Sequence, residues 1–168
     1  MHHSVTRKQP NSRMCLVCGL KNPLGLRAGF FEIDNGELVG VFRPADGHQG
    51  YPGRLHGGMA TTMLDETIGR AILTRHDQDV WGVTVSLSVR FRKPVPLGVD
   101  LRVVGRVTEE DKRFFRGTGE ILLADGTVAV EAQGRYLKMA LKSIADHEAG
   151  ELEWQVVPQD HDPDGFDL

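Results

Sequence analysis

Residues 54–71, RLHGGMATTMLDETIGRA, join two side-chain-free backbone donors, a histidine and a carboxylate, groups able to polarise a carbonyl and move a proton. Ala60, Met63, Leu64, Thr67, Ile68, Ala71 and Ile72 recur at intervals of three and four, which predicts a helix with one buried face. His56, Gly57 and Gly58 precede that stripe and leave backbone N–H groups bare at the positive end of the helix dipole. Such a terminus suits a developing oxyanion. Asp65 follows Leu64, about 100° around the helix, and so lies at the margin of the stripe, whereas Glu66 turns further out. Asp65 is therefore the candidate for chemistry. The plainer alternative is that His56 satisfies a loop and Asp65 binds a nearby backbone group or arginine.

Nine residues separate His56 from Asp65, which on a helix means roughly 13 Å and about half a turn out of phase. One chain cannot bring them together. If both serve one reaction centre, the helix start of one subunit faces the aspartate of another, and the assembly is an isologous dimer with two equivalent sites.

Cys15 and Cys18 form a single CxxC. This pattern serves either a redox pair or half of a zinc site. No βαβ pattern accompanies it, and no second CxxC or HxxxH completes a tetrahedron. Reduced cysteines in an N-terminal lead-in are the expectation, with a zinc site completed across subunits as the alternative.

These groups need a scaffold. Residues 26–33 and 37–43 read as strands flanking Asp34, Asn35 and Gly36, a hairpin turn. The Gly- and Pro-rich run PADGHQGYPGRLHGG reads as an ordered loop into the helix. Beyond the helix, Val83, Val85, Leu87, Val89 and Phe91 alternate with Thr84, Ser86, Ser88, Arg90 and Arg92, the period of a strand with one buried face. Pro94 and Pro96 end its pairing. Strands over 100–108, 113–123 and 127–139 follow, the last two joined by Asp125-Gly126. Short connections favour antiparallel neighbours, and one long helix can cover one face, so the class is α+β.

A chain of 168 residues with net charge -3 fits one domain and offers no global nucleic-acid or membrane footprint. No apolar run approaches the roughly 18 residues that span a bilayer, and the start lacks the apolar centre of a secretory signal, so a cytoplasmic protein is expected. The organisation expected is a flexible lead-in over 1–13, a domain over 14–140, and an acidic, mobile tail over 141–168 that Trp154 could anchor.

Three segments in order, CGLKNPLGL, LHGGMATTMLDE and VSLSVRFRKPVPLG, make the chain resemble the hotdog-fold acyl-CoA thioesterases of the PaaI type, within the 4-hydroxybenzoyl-CoA thioesterase superfamily. The resemblance covers about residues 15–139 and implies a long helix wrapped by a curved antiparallel sheet, assembled as a dimer or dimer of dimers. It implies an acyl-CoA substrate, a site between protomers, and no cofactor beyond the coenzyme A of the substrate. By resemblance Asp65 matches the catalytic acid, the Gly57 amide the donor to the thioester carbonyl, and His56 the histidine heading the motif. Asn22 matches a water-orienting residue of the other protomer's lead-in, although Asn-Pro segments also make ordinary turns. Gly58, Met59 and Met63 are expected at the acyl group, and Arg90, Arg92 and Lys93 at the phosphates of coenzyme A, with Arg113 and Arg116 behind them. A solvated strand face is the alternative for the basic residues, and ordinary core for the methionines.

Two rival activities share this fold. DGHQGYPG has the histidine and Pro-Gly of hydroxyacyl-thioester dehydratases, but here an HGG motif intervenes between His48 and the acid. A non-catalytic acyl-CoA sensor would have no need of Asp65 beside the carbonyl.

Overall fold

The computed structural model describes residues 1–77, 79–145 and 154–168. Strands β1 (His2–Lys8), β2 (Gly29–Ile33) and β3 (Leu38–Phe42) precede helix α1 (Gly57–Arg70), which a 3-10 turn over Ala71–Thr74 extends. Strands β4 (Trp81–Phe91), β5 (Leu101–Glu110), β6 (Phe114–Leu122) and β7 (Val128–Met139) follow, then a single helical turn, α2 (Leu141–Ile144), and a short β8 (Gly165–Asp167). The eight strands among the described residues form one antiparallel sheet in the order β4-β7-β6-β5-β3-β2-β1-β8.

The hairpin β2–β3 turns where the sequence places it. Gly36 takes a positive φ of 83°, and Asn35 Oδ1 accepts the Glu37 amide at 3.0 Å. The sheet curls around α1, which packs on β3 through β7. All seven stripe residues, Ala60, Met63, Leu64, Thr67, Ile68, Ala71 and Ile72, are buried. Close wrapping requires bare backbone on the strands: a Cβ on Gly82 of β4 would stand 2.6 Å from the Gly69 carbonyl oxygen of α1.

The long strand β4 departs from simple alternation. Its register with β7 shifts between Thr84 and Ser86, a bulge that changes the phase of the strand by one residue. Leu87 and Val89 pack on the core, but before the bulge Gly82 and Thr84 face the helix, and Val85 is 52% exposed. The expectation that residues 83–91 present one unbroken apolar face is corrected accordingly.

Both termini also correct the sequence reading. The stretch read as a flexible lead-in contains β1, which pairs with β2 and β8, and the stretch read as a mobile tail supplies β8. Phe166 joins Phe31, Ile33 and Val39 in a small second core on the outer face of the sheet. Trp154 does anchor the tail: its ring lies 4.8 Å from that of Trp81. Residues 146–153 of that tail lie outside the described residues. No described helix is long and apolar enough to cross a membrane.

Replacing Gly82 with Ala is expected to lower stability by about 1–3 kcal/mol, because the methyl group meets helix backbone that cannot swing aside. Gly47→Ala, which meets open space, is the control and should stay within about 0.5 kcal/mol in the same urea titration.

Candidate active site

Asp65 lies in the middle of α1, half-buried between the helix and the paired strands β4 and β7. Thr84 Oγ1 donates to Asp65 Oδ1 at 2.8 Å, and the Tyr136 hydroxyl donates to the same oxygen at 3.2 Å. The two donors are not independent, since Thr84 and Tyr136 are direct cross-strand partners. The bulge after Thr84 is what turns its hydroxyl inward, an office bulges often serve beside sites. Among the described residues Oδ2 accepts no hydrogen bond, so one carboxylate oxygen is held and the other is available.

Burial pushes the Asp65 carboxyl above the ordinary aspartate range, the Thr84 and Tyr136 hydroxyls pull it back, and the charge of Glu66 pushes it up again. Burial and the Asp65 charge drive the Tyr136 phenol well above its usual range, so it remains a donor. A partly desolvated carboxylate anchored on one side is suited to take a proton from water or to attack a carbonyl.

The helix start is equally defined. His56 is the N-cap, and its Nδ1 accepts the Gly58 amide at 2.9 Å, which engages Gly58 within the cap. Gly57 occupies the first helical position, where helix geometry supplies no intrahelical acceptor for its N–H. A Cβ on Gly57 would sit 3.5 Å from the Phe91 ring, which is 55% exposed at the far end of β4. Within one protomer, then, Asp65 stands over Thr84 and Gly57 over Phe91, seven residues apart along an eleven-residue strand. The structure leaves them apart.

Other residues singled out by the sequence fall elsewhere. Asn22 closes a turn, donating to the Met14 carbonyl at 3.1 Å and accepting from the Leu24 amide at 2.9 Å. Met63 is fully buried in the core, and Met59 packs at its edge. Arg90 and Arg92 gather on Glu131 at 3.9 and 2.6 Å, on the outer face of the sheet and away from Asp65 of the same protomer. Lys93 is exposed beside them. Arg113 is exposed and Arg116 meets Glu109 at 3.5 Å. A cleft of about 610 Å³ between the tail and β2–β3, lined by Arg27, Arg43, Arg102 and His161, includes neither Asp65 nor Gly57.

Sequence reasoning missed Thr84 and Tyr136. Tyr136 was within reach, because it continues the inward series of Val130, Ala132 and Gly134, and a phenol on a buried face needs a partner. Thr84 was not, since only the bulge places it.

Comparison with known proteins agrees with this architecture. Residues 52–130 match the family model described as Thioesterase superfamily. Human acyl-coenzyme A thioesterase 13 is 27% identical over 103 residues, which are 61% of this chain and 72% of that protein. A crystal structure of a thioesterase superfamily protein superposes with a TM-score of 0.68 at 30% identity, over 74% of this chain and 60% of that one. The PaaI protein of the E. coli phenylacetic acid degradation operon shares the fold, with a TM-score of 0.61 at 17% identity, over 68% of this chain and 81% of that one. The chain thus has the hotdog fold, and its residues 52–130 are similar to the thioesterase superfamily.

Proposed function

We propose that this protein hydrolyses acyl-CoA thioesters at a site shared between two subunits, with Asp65 of one protomer and the Gly57 amide of the other acting on the same carbonyl. The observation that carries the reading is the state of Asp65: a half-buried carboxylate with Oδ1 fixed by two hydroxyls and Oδ2 left to react. The thioesterase-superfamily match and the acyl-CoA thioesterase named among its relatives supply the reaction class.

The sheet edge supports the sharing. β4 is the terminal strand, eleven residues long, and it exposes Val85 and Phe91. An edge of that length and character is a template for pairing. Antiparallel pairing of two β4 strands about a two-fold axis at Ser88, with Val85 as the extra residue of the bulge, sets Thr84 of one opposite Phe91 of the other. Asp65 stands over the first and Gly57 over the second, so the pairing assembles two identical sites from halves that one chain holds apart.

In this arrangement the Gly57 N–H receives the charge that develops on the thioester oxygen. Asp65 Oδ2 either takes the proton of an attacking water or attacks the carbonyl itself and yields an anhydride that water opens. Both routes need the same available oxygen. His56 has its Nδ1 committed to the cap, where it accepts the Gly58 amide, so Nε2 is the ring nitrogen outside the cap. A dehydratase built on His48 is disfavoured, because Nδ1 of that ring accepts the Ala45 amide and Nε2 bonds the Leu24 carbonyl.

Asp65→Asn should lower kcat on a turned-over acyl-CoA by about 10²–10⁴-fold, read by free-thiol release. Because the folded protein holds the Asp65 pKa above its unfolded value, the stability linked to this group is present at low pH and is lost as pH rises through the folded pKa. At neutral pH the Asn variant should therefore melt no lower than wild type. Removing a donor to the carboxylate by Thr84→Val should move the acid limb of the kcat/KM profile to higher pH, whereas an unmoved limb would sink Asp65 as the titrating base. Gly57→Pro removes the N–H where proline is tolerated, and His56 at φ -63° and ψ 136° already has the backbone that a residue before proline adopts. This variant should keep its helix by circular dichroism and lose about 10²–10³-fold in kcat.

A further inference from the structure

The face of α1 that turns away from Asp65 carries a second cluster which hydrolysis does not use. Arg70 is only 2% exposed, and its charge is met from three sides. Nε donates to Glu66 Oε1 at 2.8 Å, Nη1 to the Pro10 carbonyl at 2.9 Å, and Nη2 to Cys18 Sγ at 3.1 Å. The guanidinium also lies over three rings, 4.4 Å from Phe30, 5.3 Å from Trp81 and 5.1 Å from Trp154. Cys15 and Cys18 are both free, and their sulfurs lie within 4.8 Å of one another and of the Glu66 carboxylate. Cys18 is wholly buried, whereas Cys15 is partly open to solvent.

The turn that carries them is tightly specified. The Cys15 amide donates to Ser12 Oγ at 3.0 Å, the Val17 amide to Cys15 Sγ at 3.3 Å, and the Gly19 amide to the Cys15 carbonyl at 2.9 Å. A Cβ on Gly19 would stand 2.3 Å from that carbonyl oxygen, so the close return of the chain needs glycine there. The sulfurs are thus presented to each other by the backbone.

We propose that Cys15 and Cys18 form a dithiol that exchanges reversibly with low-molecular-weight disulfides, Cys15 as the entry thiol and Cys18, paired with Arg70, as the resolving thiolate. The division of labour follows from access and charge. Only Cys15 can be reached from solvent, and only Cys18 has a guanidinium bonded to its sulfur. Hydrogen bonding from Cys15 and the charge of Arg70 bring the Cys18 thiol down to about 7 against the opposing effect of burial, while the hydrogen bond to Cys18 and burial push Cys15 up. The buried sulfur is therefore the more acidic of the two.

In the first step the Cys15 proton passes to the hydrogen-bonded Cys18 thiolate as Cys15 attacks one sulfur of R–S–S–R, and the displaced R–S⁻ takes up that proton and leaves as R–SH. In the second, the Cys18 thiolate attacks the Cys15 sulfur of the mixed disulfide, the Cys15–Cys18 bond forms, and the second R–S⁻ departs to take a proton from water. Two cysteine sulfurs are oxidised and one external disulfide is reduced to two thiols. A metal held by Cys15, Cys18 and Glu66 fits less well, because two of these three groups already bind a buried cation, the Arg70 guanidinium. Oxidation removes the negative sulfur facing Arg70, whose two tryptophan neighbours report the change.

The test exposes the full-length protein to oxidised glutathione and follows free thiols, peptide mass and tryptophan fluorescence. Wild type should lose both thiols, yield a Cys15–Cys18 disulfide with no lasting adduct, shift its fluorescence, and recover fully with reduced glutathione. Cys18→Ser should trap glutathione on Cys15, and Cys15→Ser should take up none. Arg70→Lys, which retains a cation while losing the planar fork, should slow resolution of the mixed disulfide at least severalfold. Unreacted wild-type thiols, a persistent adduct in wild type, or labelling of Cys18 in Cys15→Ser would overturn the proposal. So would stoichiometric zinc or iron in the purified protein with both thiols blocked.

Discussion

A helix wrapped by a sheet has little water for its polar side chains, and each one that turns inward must find a partner in the protein. That constraint shapes both clusters on α1. Asp65 is met by Thr84 and Tyr136 from two paired strands, and Arg70 by Glu66, Cys18 and the Pro10 carbonyl from the lead-in. The partners differ in kind, and so does the resulting chemistry. Two neutral hydroxyls on one oxygen leave a strained balance in which burial outweighs hydrogen bonding and the carboxylate stays basic. A cysteine sulfur and a carboxylate around a guanidinium instead satisfy a full charge in a closed space.

Enclosure has a geometric condition as well. Strand backbone must come close enough to the helix to exclude water, and glycine at Gly82 permits it. The same strand then bulges after Thr84, so its later half continues the core through Leu87 and Val89 while its earlier half delivers a hydroxyl to the acid. Close approach, bulge and hydrogen bond are successive consequences of laying one edge strand across a buried helix. The outer edge of that strand is the place where a second chain could complete the site.

Much of this was legible in the sequence, for identifiable reasons. The helix stripe from Ala60 to Ile72 repeats the helix period, and every member is buried. The Asp34-Asn35-Gly36 turn declares itself by residue type, and the four strands after the helix by alternation and short turns. Asp65 at the margin of the stripe was visible for the same reason. What escaped depends on contacts distant in the chain. β1 and β8 pair across nearly the whole length of the protein, and neither has a period of its own long enough to read. Arg70 is buried only because the lead-in and Trp154 cover it, and nothing local in the sequence marks that. Thr84 escaped because alternation carried through a bulge assigns the wrong face.

The central claim is that Asp65 and Gly57 serve one centre from two chains, and subunit mixing tests it most directly. Asp65→Asn and Gly57→Pro proteins, each inactive alone, are combined in equal amounts, exchange is confirmed by mass, and acyl-CoA hydrolysis is followed by thiol release. A mixed dimer holds one intact site and one doubly disabled site, so random exchange should restore about a quarter of wild-type turnover. No recovery after confirmed exchange would contradict the account.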